Sequence, residues 1–92
     1  MNNQLKGFDK SKLPNAITYY EDQGLKLKGS GAWRNAICPF HEDTRPSLRV
    51  HPFSGAFACM ACGAKGSDVL AFHQLKHSMR FVDACKVLGA WR

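Results

Sequence analysis

A chain of 92 residues with 45% hydrophobic and 22% charged positions is sized and composed for one small folded domain, which excludes general disorder. Thirteen Lys and Arg against seven Asp and Glu give a formal charge of +6, a balance that favours anionic partners such as nucleic acid. No apolar run reaches the ~18–20 residues that span a bilayer, and "MNNQLKGFDKSK" lacks the apolar core of a secretory signal. The expectation is a cytoplasmic protein with no membrane partner.

In chain order, residues 1–10 are polar and are expected to be flexible. From Leu13 the apolar positions Leu13, Ala16, Ile17 and Tyr20 form an i, i+3, i+4, i+7 stripe, with Pro14 suited to the first turn of a helix and Gly24 placed to end it. "LKLK", Leu25 to Lys28, alternates as a half-buried strand does, and the turn Gly29-Ser30-Gly31 leads into "AWRNAI" as the returning strand. "SLRVH" alternates again, with Leu48 and Val50 on one face and Arg49 on the other. "PFSG" reads as a turn and "AFAC" as the strand coming back to Cys59. "GSDVLAFHQLKH" reads as a helix capped by Ser67 or Asp68, with Val69, Leu70, Phe72 and Leu75 apolar. "SMRFVDACKVLG" reads as a second helix with Ser78 as its cap, Phe81, Ala84, Cys85 and Leu88 as its stripe, and Gly89 as its end. The fold class expected is small α+β, a short antiparallel sheet flanked by an N-terminal helix and two C-terminal helices, in a single domain over 1–92.

The cysteines carry the chemistry. Cys38-x-x-His41 is followed after seventeen intervening residues by Cys59-x-x-Cys62. A two-residue gap turns both side chains of a pair onto one ion, so each pair supplies half a tetrahedron. The hairpin expected between the pairs brings the halves together. Pro39 stiffens the first knuckle, and Gly63 permits the positive φ that lets backbone N–H groups point at a thiolate. Four protein ligands leave no open position, which marks a structural rather than a catalytic site. Three thiolates and an imidazole suit Zn²⁺, whereas an iron–sulfur cluster would usually take four thiolates. A disulfide framework would leave His41 without a role and needs an oxidising compartment. A Cys38–His41 nucleophile–base pair would leave the second cysteine pair unexplained. One bound Zn²⁺ with three thiolates contributes −1, which takes the working charge to about +5. Cys85 falls on an apolar helical stripe and reads as core. His51, His73 and His77 are isolated in sequence and read as surface or half-buried side chains. Glu42 and Asp43 read as solvated charges or as acceptors beside the site, and Asp68 reads as a cap.

"CPFHEDTRPS" joined to "FACMACGAKGSDVLAF" resembles the zinc-binding domain of DnaG-type bacterial and phage DNA primases. "LKLKGSGAWRNAICPFH" resembles that domain's approach strands and "FVDACKVLG" its following helix, so the resemblance covers roughly residues 13–90. It implies a zinc ribbon, core 25–66, that engages single-stranded template DNA and helps select the start site for RNA primer synthesis. The polymerisation would belong to a Toprim-type domain in the same or another chain, with a replicative helicase as a further partner. This chain alone would then be a non-catalytic module. Two positions depart from the family pattern: Arg34 and Met60 stand where aromatic residues are frequent, with Trp33 beside the former. Leu48 likewise stands where phenylalanine is frequent.

Single-strand binders combine basic side chains that follow the phosphates with rings on which bases stack. Arg34, Arg45, Arg49 and Lys65 lie in or beside the expected sheet and knuckles, and Trp33 and Phe57 are the candidate stacking platforms. The competing reading makes Trp33 and Phe57 core and the cations merely solvated. Two other functions stay open: a protein-interaction module that docks a replication partner through the Phe72/Leu75 and Phe81/Leu88 stripes, and a DNA-binding regulator.

Overall fold

The computed structural model describes residues 7–42 and 45–91. Asp43 and part of the segment expected to be flexible, residues 1–6, lie outside them. Among the described residues there are three α-helices and one four-stranded antiparallel sheet. They run as α1 (Ala16–Asp22), β1 (Arg34–Ala36), β2 (Leu48–Val50), β3 (Phe57–Cys59), β4 (Lys65–Gly66), α2 (Val69–His77) and α3 (Phe81–Val87), with a 3-10 turn at Lys10–Lys12 ahead of α1. The strands lie side by side in chain order.

Asn15 starts α1 by accepting the Thr18 N–H on its side-chain oxygen, and Pro14 precedes this cap. Gly24, at φ +87, lets the chain leave the helix. Asp68 caps α2 by accepting the Ala71 N–H at 2.9 Å. Ser78 does not cap α3 as its sequence position suggests. It closes α2 instead, at φ +53, and its N–H bonds to the Gln74 carbonyl. The sharp reversal between the helices needs a left-handed residue there. The N-cap of α3 is Arg80, which makes no side-chain capping bond.

The expected strand at Leu25–Lys28 is reduced to one bridge, Lys28 with Asn35, through two hydrogen bonds of 2.8 Å. Its alternation is nevertheless real: Leu25 is buried, Leu27 half-buried, and both lysines are exposed. From Phe8 the chain is tied to its far end. Phe8 bridges Trp91 and packs edge-on against Phe81, which the polar composition of the segment gave no reason to expect.

Phe72 is the centre of the main core. Its ring is fully buried and meets those of Tyr19, Tyr20, Phe40 and Phe57 at centroid distances of 4.8–5.9 Å. Two helices, one sheet face and the first knuckle therefore close on a single side chain. Gly66 makes this closure possible, because a Cβ there would stand 2.6 Å from Phe57 and from Ala71. A second cluster, Leu70, Ala84 and Cys85, joins α2 to α3, with Phe8, Phe81 and Trp91 packed around it.

Candidate metal centre and nucleic-acid surface

The β2–β3 hairpin does what the spacing required. Ala36 pairs with Leu48, and Leu48 with Cys59, so the first knuckle, which leaves β1, meets the second where β3 ends. The ligand atoms of Cys38, His41, Cys59 and Cys62 lie within 4.8 Å of one another. Zn–S bonds of about 2.3 Å and a Zn–N bond of about 2.0–2.1 Å make tetrahedral edges of about 3.8 Å for S···S and about 3.5 Å for S···N. The Cys38 Sγ to Cys62 Sγ distance is 3.8 Å, and Cys59 Sγ to His41 Nε2 is 3.4 Å. The four residues form a potential metal site that fits one zinc ion. Bound zinc would supply no chemistry of transformation here, only the cross-link between knuckles.

The surroundings prepare these atoms. His41 Nδ1 lies 2.9 Å from the Glu42 carbonyl, the geometry of an N–H donated to that oxygen, which leaves Nε2 as the ligand. The acceptor beside the site is thus the backbone of Glu42, while its carboxylate is on an exposed residue. Ala61 and Cys62 each donate a backbone N–H to Cys59 Sγ at 3.4 Å, and Gly63 closes the knuckle at φ +80. Burial acts on both inner thiols. At Cys38 it dominates and pushes the thiol up to about 12, against the opposing Phe40 N–H. At Cys59 burial is outweighed by the N–H groups of Cys62 and Ala61 together with His41, and the thiol falls to about 6. The two inner thiols are thus shifted in opposite directions, and Cys38 must release a proton when a cation is bound. Cys85 takes no part. It is fully buried in the α2–α3 cluster, where burial raises its thiol above the ordinary value.

The opposite face of the sheet is open. Paired residues in an antiparallel ladder share a face, so Asn35, Arg49, Ala58 and Lys65 form one row across all four strands. Arg49 and Lys65 are exposed in it. Trp33, 42% exposed, stands beside this row with its ring edge-on to His51 at 5.3 Å. Phe53 (88% exposed) and Met60 (65%) extend the apolar part of the surface.

The model of the CHC2 zinc finger matches residues 8–91. The chain belongs to the CHC2 zinc-finger family of DnaG-type primases. This CHC2 zinc finger is 39% identical over 67 residues to the DNA primase of Borreliella burgdorferi, covering 73% of the chain and 13% of that protein. It is 44% identical over 66 residues to the DNA primase of Mycolicibacterium smegmatis, covering 71% of the chain and 10% of that protein. Its fold matches the Aquifex aeolicus primase structure, which contains zinc-binding and RNA polymerase domains. The TM-score is 0.68 at 25% identity, over 97% of this chain and 22% of that one. The chain spans only 10–13% of these two curated relatives' lengths. Zinc finger, primase and DNA replication thus describe it at the level of family.

Two of the residues read as DNA contacts are placed elsewhere. Phe57 is 2% exposed and packs between Phe40 and Phe72, so its ring offers no stacking face. The cause is parity, because it pairs with Val50 and shares the inner face with Cys59. Arg34 also pairs with Val50, on the inner side, and its guanidinium donates to the Gly29 carbonyl while its Nε is buried without a hydrogen-bond partner. It fastens the turn ahead of β1. Trp33, Arg49 and Lys65 come together on the open face, and Arg45 is exposed on the loop before β2. His51, Phe53 and Met60 stand beside them; the period-2 pattern through Arg49 places His51 on this face, whereas the exposure of Phe53 in a turn has no sequence signature.

His73 is buried on α2, with its Nδ1 2.7 Å from the Tyr19 hydroxyl, and His77 lies beside it with ring centroids 4.3 Å apart. Burial, and then the neighbouring His77, lower the pKa of His73. No helix among the described residues is long and apolar enough to cross a membrane.

Proposed function

We propose that this zinc finger binds single-stranded template DNA across the open face of its sheet and so helps set where RNA primer synthesis begins. Cys38, His41, Cys59 and Cys62 hold one zinc that fixes the strands carrying this face. The nucleotidyl transfer belongs to a Toprim-type polymerase domain in the same or another chain, and a replicative helicase is a further partner.

The observation that carries the reading is the combination on one face of Arg49 and Lys65 with the exposed rings of Trp33 and Phe53. Cations there meet phosphates, and rings meet unstacked bases, which a duplex keeps inside its stack. A formal charge of +6 favours the encounter. The test is fluorescence anisotropy of the zinc-loaded protein with single-stranded and duplex DNA across a salt series. With ~3–5 phosphate contacts, log K for the single strand should fall against log[salt] with a slope of roughly −2 to −3.5. Absence of single-strand binding at low salt, or preference for one duplex sequence, overturns the reading.

Leu75 and Val87 support a second reading. Both are apolar and exposed, one on α2 and one on α3, as a docking surface for a protein partner requires. Capture of a primase polymerase domain or helicase without DNA, lost on Leu75→Asp, would favour it.

A further inference from the structure

The row across the open face has a gap in the middle. Ala58 carries a single methyl group between Arg49 and Lys65. Trp33, Met60 and Arg49 line with it an open hollow of about 180 Å³. The floor is rigid, since β3 is hydrogen-bonded on both sides. The Trp33 wall is held in place as well. Its ring abuts His51 at an interplanar angle of 82°, and His51 Nδ1 accepts the N–H groups of Phe53 and Ser54 at 3.3 and 3.1 Å. Met60, which also lines the hollow, has its backbone fixed to the Ser47 carbonyl at 2.9 Å, and its thioether is a flexible, polarisable group that makes favourable contacts with aromatic rings.

We propose that this hollow is a pocket for one unstacked base of single-stranded DNA, seated on Ala58 against the Trp33 indole and the Met60 thioether, with Arg49 at its edge. The inference rests on the reading of this face as the single-strand surface, and adds that one base is taken out of the stack and examined. A guanidinium offers donors only. The base edge that suits Arg49 is therefore one with adjacent acceptors, as guanine presents with O6 and N7, whereas adenine sets an amino donor beside its N7. Of the two purines, guanine is the preferred occupant.

Short oligonucleotides carrying one base in an otherwise abasic backbone separate the base from the phosphates. Against the fully abasic strand, one guanine should raise affinity by about 5-fold or more, the scale of a single base–aromatic stack, and adenine should raise it less. Ala58→Leu, which fills the hollow, should bring the ratio of the two affinities to one. Trp33→Leu should do the same without touching β3, and decides the matter where Ala58→Leu fails to take up zinc. A ratio of one in the native protein, or a ratio that survives both substitutions, overturns the pocket while ordinary single strands still bind. Equal gains for guanine and adenine overturn the part given to Arg49. If no single strand of any kind binds at low salt, the function proposed above fails, and the pocket with it.

Discussion

Removing zinc should unfold the whole chain, not only the knuckles. At the usual rate per residue, a protein of this length has about 5–14 kcal/mol of stability, and a structural zinc contributes roughly 10–16 kcal/mol. Nothing else in the structure stands alone. The helices α1, α2 and α3 are 7, 9 and 7 residues long, below the ~12–15 at which isolated helices become even marginal. The strands are 3, 3, 3 and 2 residues, shorter than the ordinary five or six. Both depend on Phe72, and two of its ring partners, Phe40 and Phe57, are carried by the segments the metal ties together. The perturbations are chelation and Cys59→Ser, followed by circular dichroism at 222 nm and by zinc content. The expected result is loss of the helical signal together with zinc in both cases, while Cys85→Ser retains one zinc per chain. A metal-free protein that keeps its helicity and melts cooperatively would refute the reasoning, since the helical half would then be an independent folding unit.

Two further outcomes follow from the core. Because His73 has a lowered pKa when folded, the unfolded chain binds more protons below the ordinary histidine value of 6.5. Its contribution is thus complete above that pH and is lost as pH falls, a dependence that His73→Gln should flatten in urea unfolding of the zinc-loaded protein between neutral and mildly acidic pH. Gly66→Ala should cost about 1–3 kcal/mol in the same assay, because the added methyl meets the Phe57 ring and Ala71 at 2.6 Å; an unchanged midpoint would show that α2 shifts freely over the sheet.

The metal site was legible because its information is local. Two knuckles and a hairpin-length separation specify it with no knowledge of the core. The α2 cap and the closing glycines were legible for the same reason. The two misplaced residues were also within reach of the sequence. Arg34 lies at an even spacing from Ala36 and Cys38, and Phe57 at an even spacing from Cys59, so strict alternation assigns both to the inner face that holds the buried ligands. Chemical type, a cation and a ring beside the knuckles, points outward, but parity decides where both side chains go. Other features had no local trace. A two-residue strand such as β4 shows no alternation. The left-handed role of Ser78 is imposed by the turn between helices, and the pairing of Phe8 with Trp91 joins segments from opposite ends of the chain.

Alternation also explains how a closed metal site can govern a surface it does not reach. Along β3 and into its knuckle, Phe57 is core, Ala58 opens outward, Cys59 is buried as a ligand, and Met60 is exposed again. The floor and one wall of the proposed base pocket therefore flank a zinc ligand on either side of a single residue. Cys59 is in turn held by two backbone N–H groups of the knuckle, and Met60 by the Ser47 carbonyl at the start of β2. Ala58, Cys59 and Met60 are consecutive, so a shift of the Cys59 backbone passes directly to Ala58 and Met60. A ligand substitution that weakened zinc without unfolding the chain would then reduce the base-dependent part of DNA affinity more than the phosphate-dependent part. Arg49 sits on β2 and Arg45 on the loop before it, and long cationic side chains tolerate small backbone shifts that a stacked base does not.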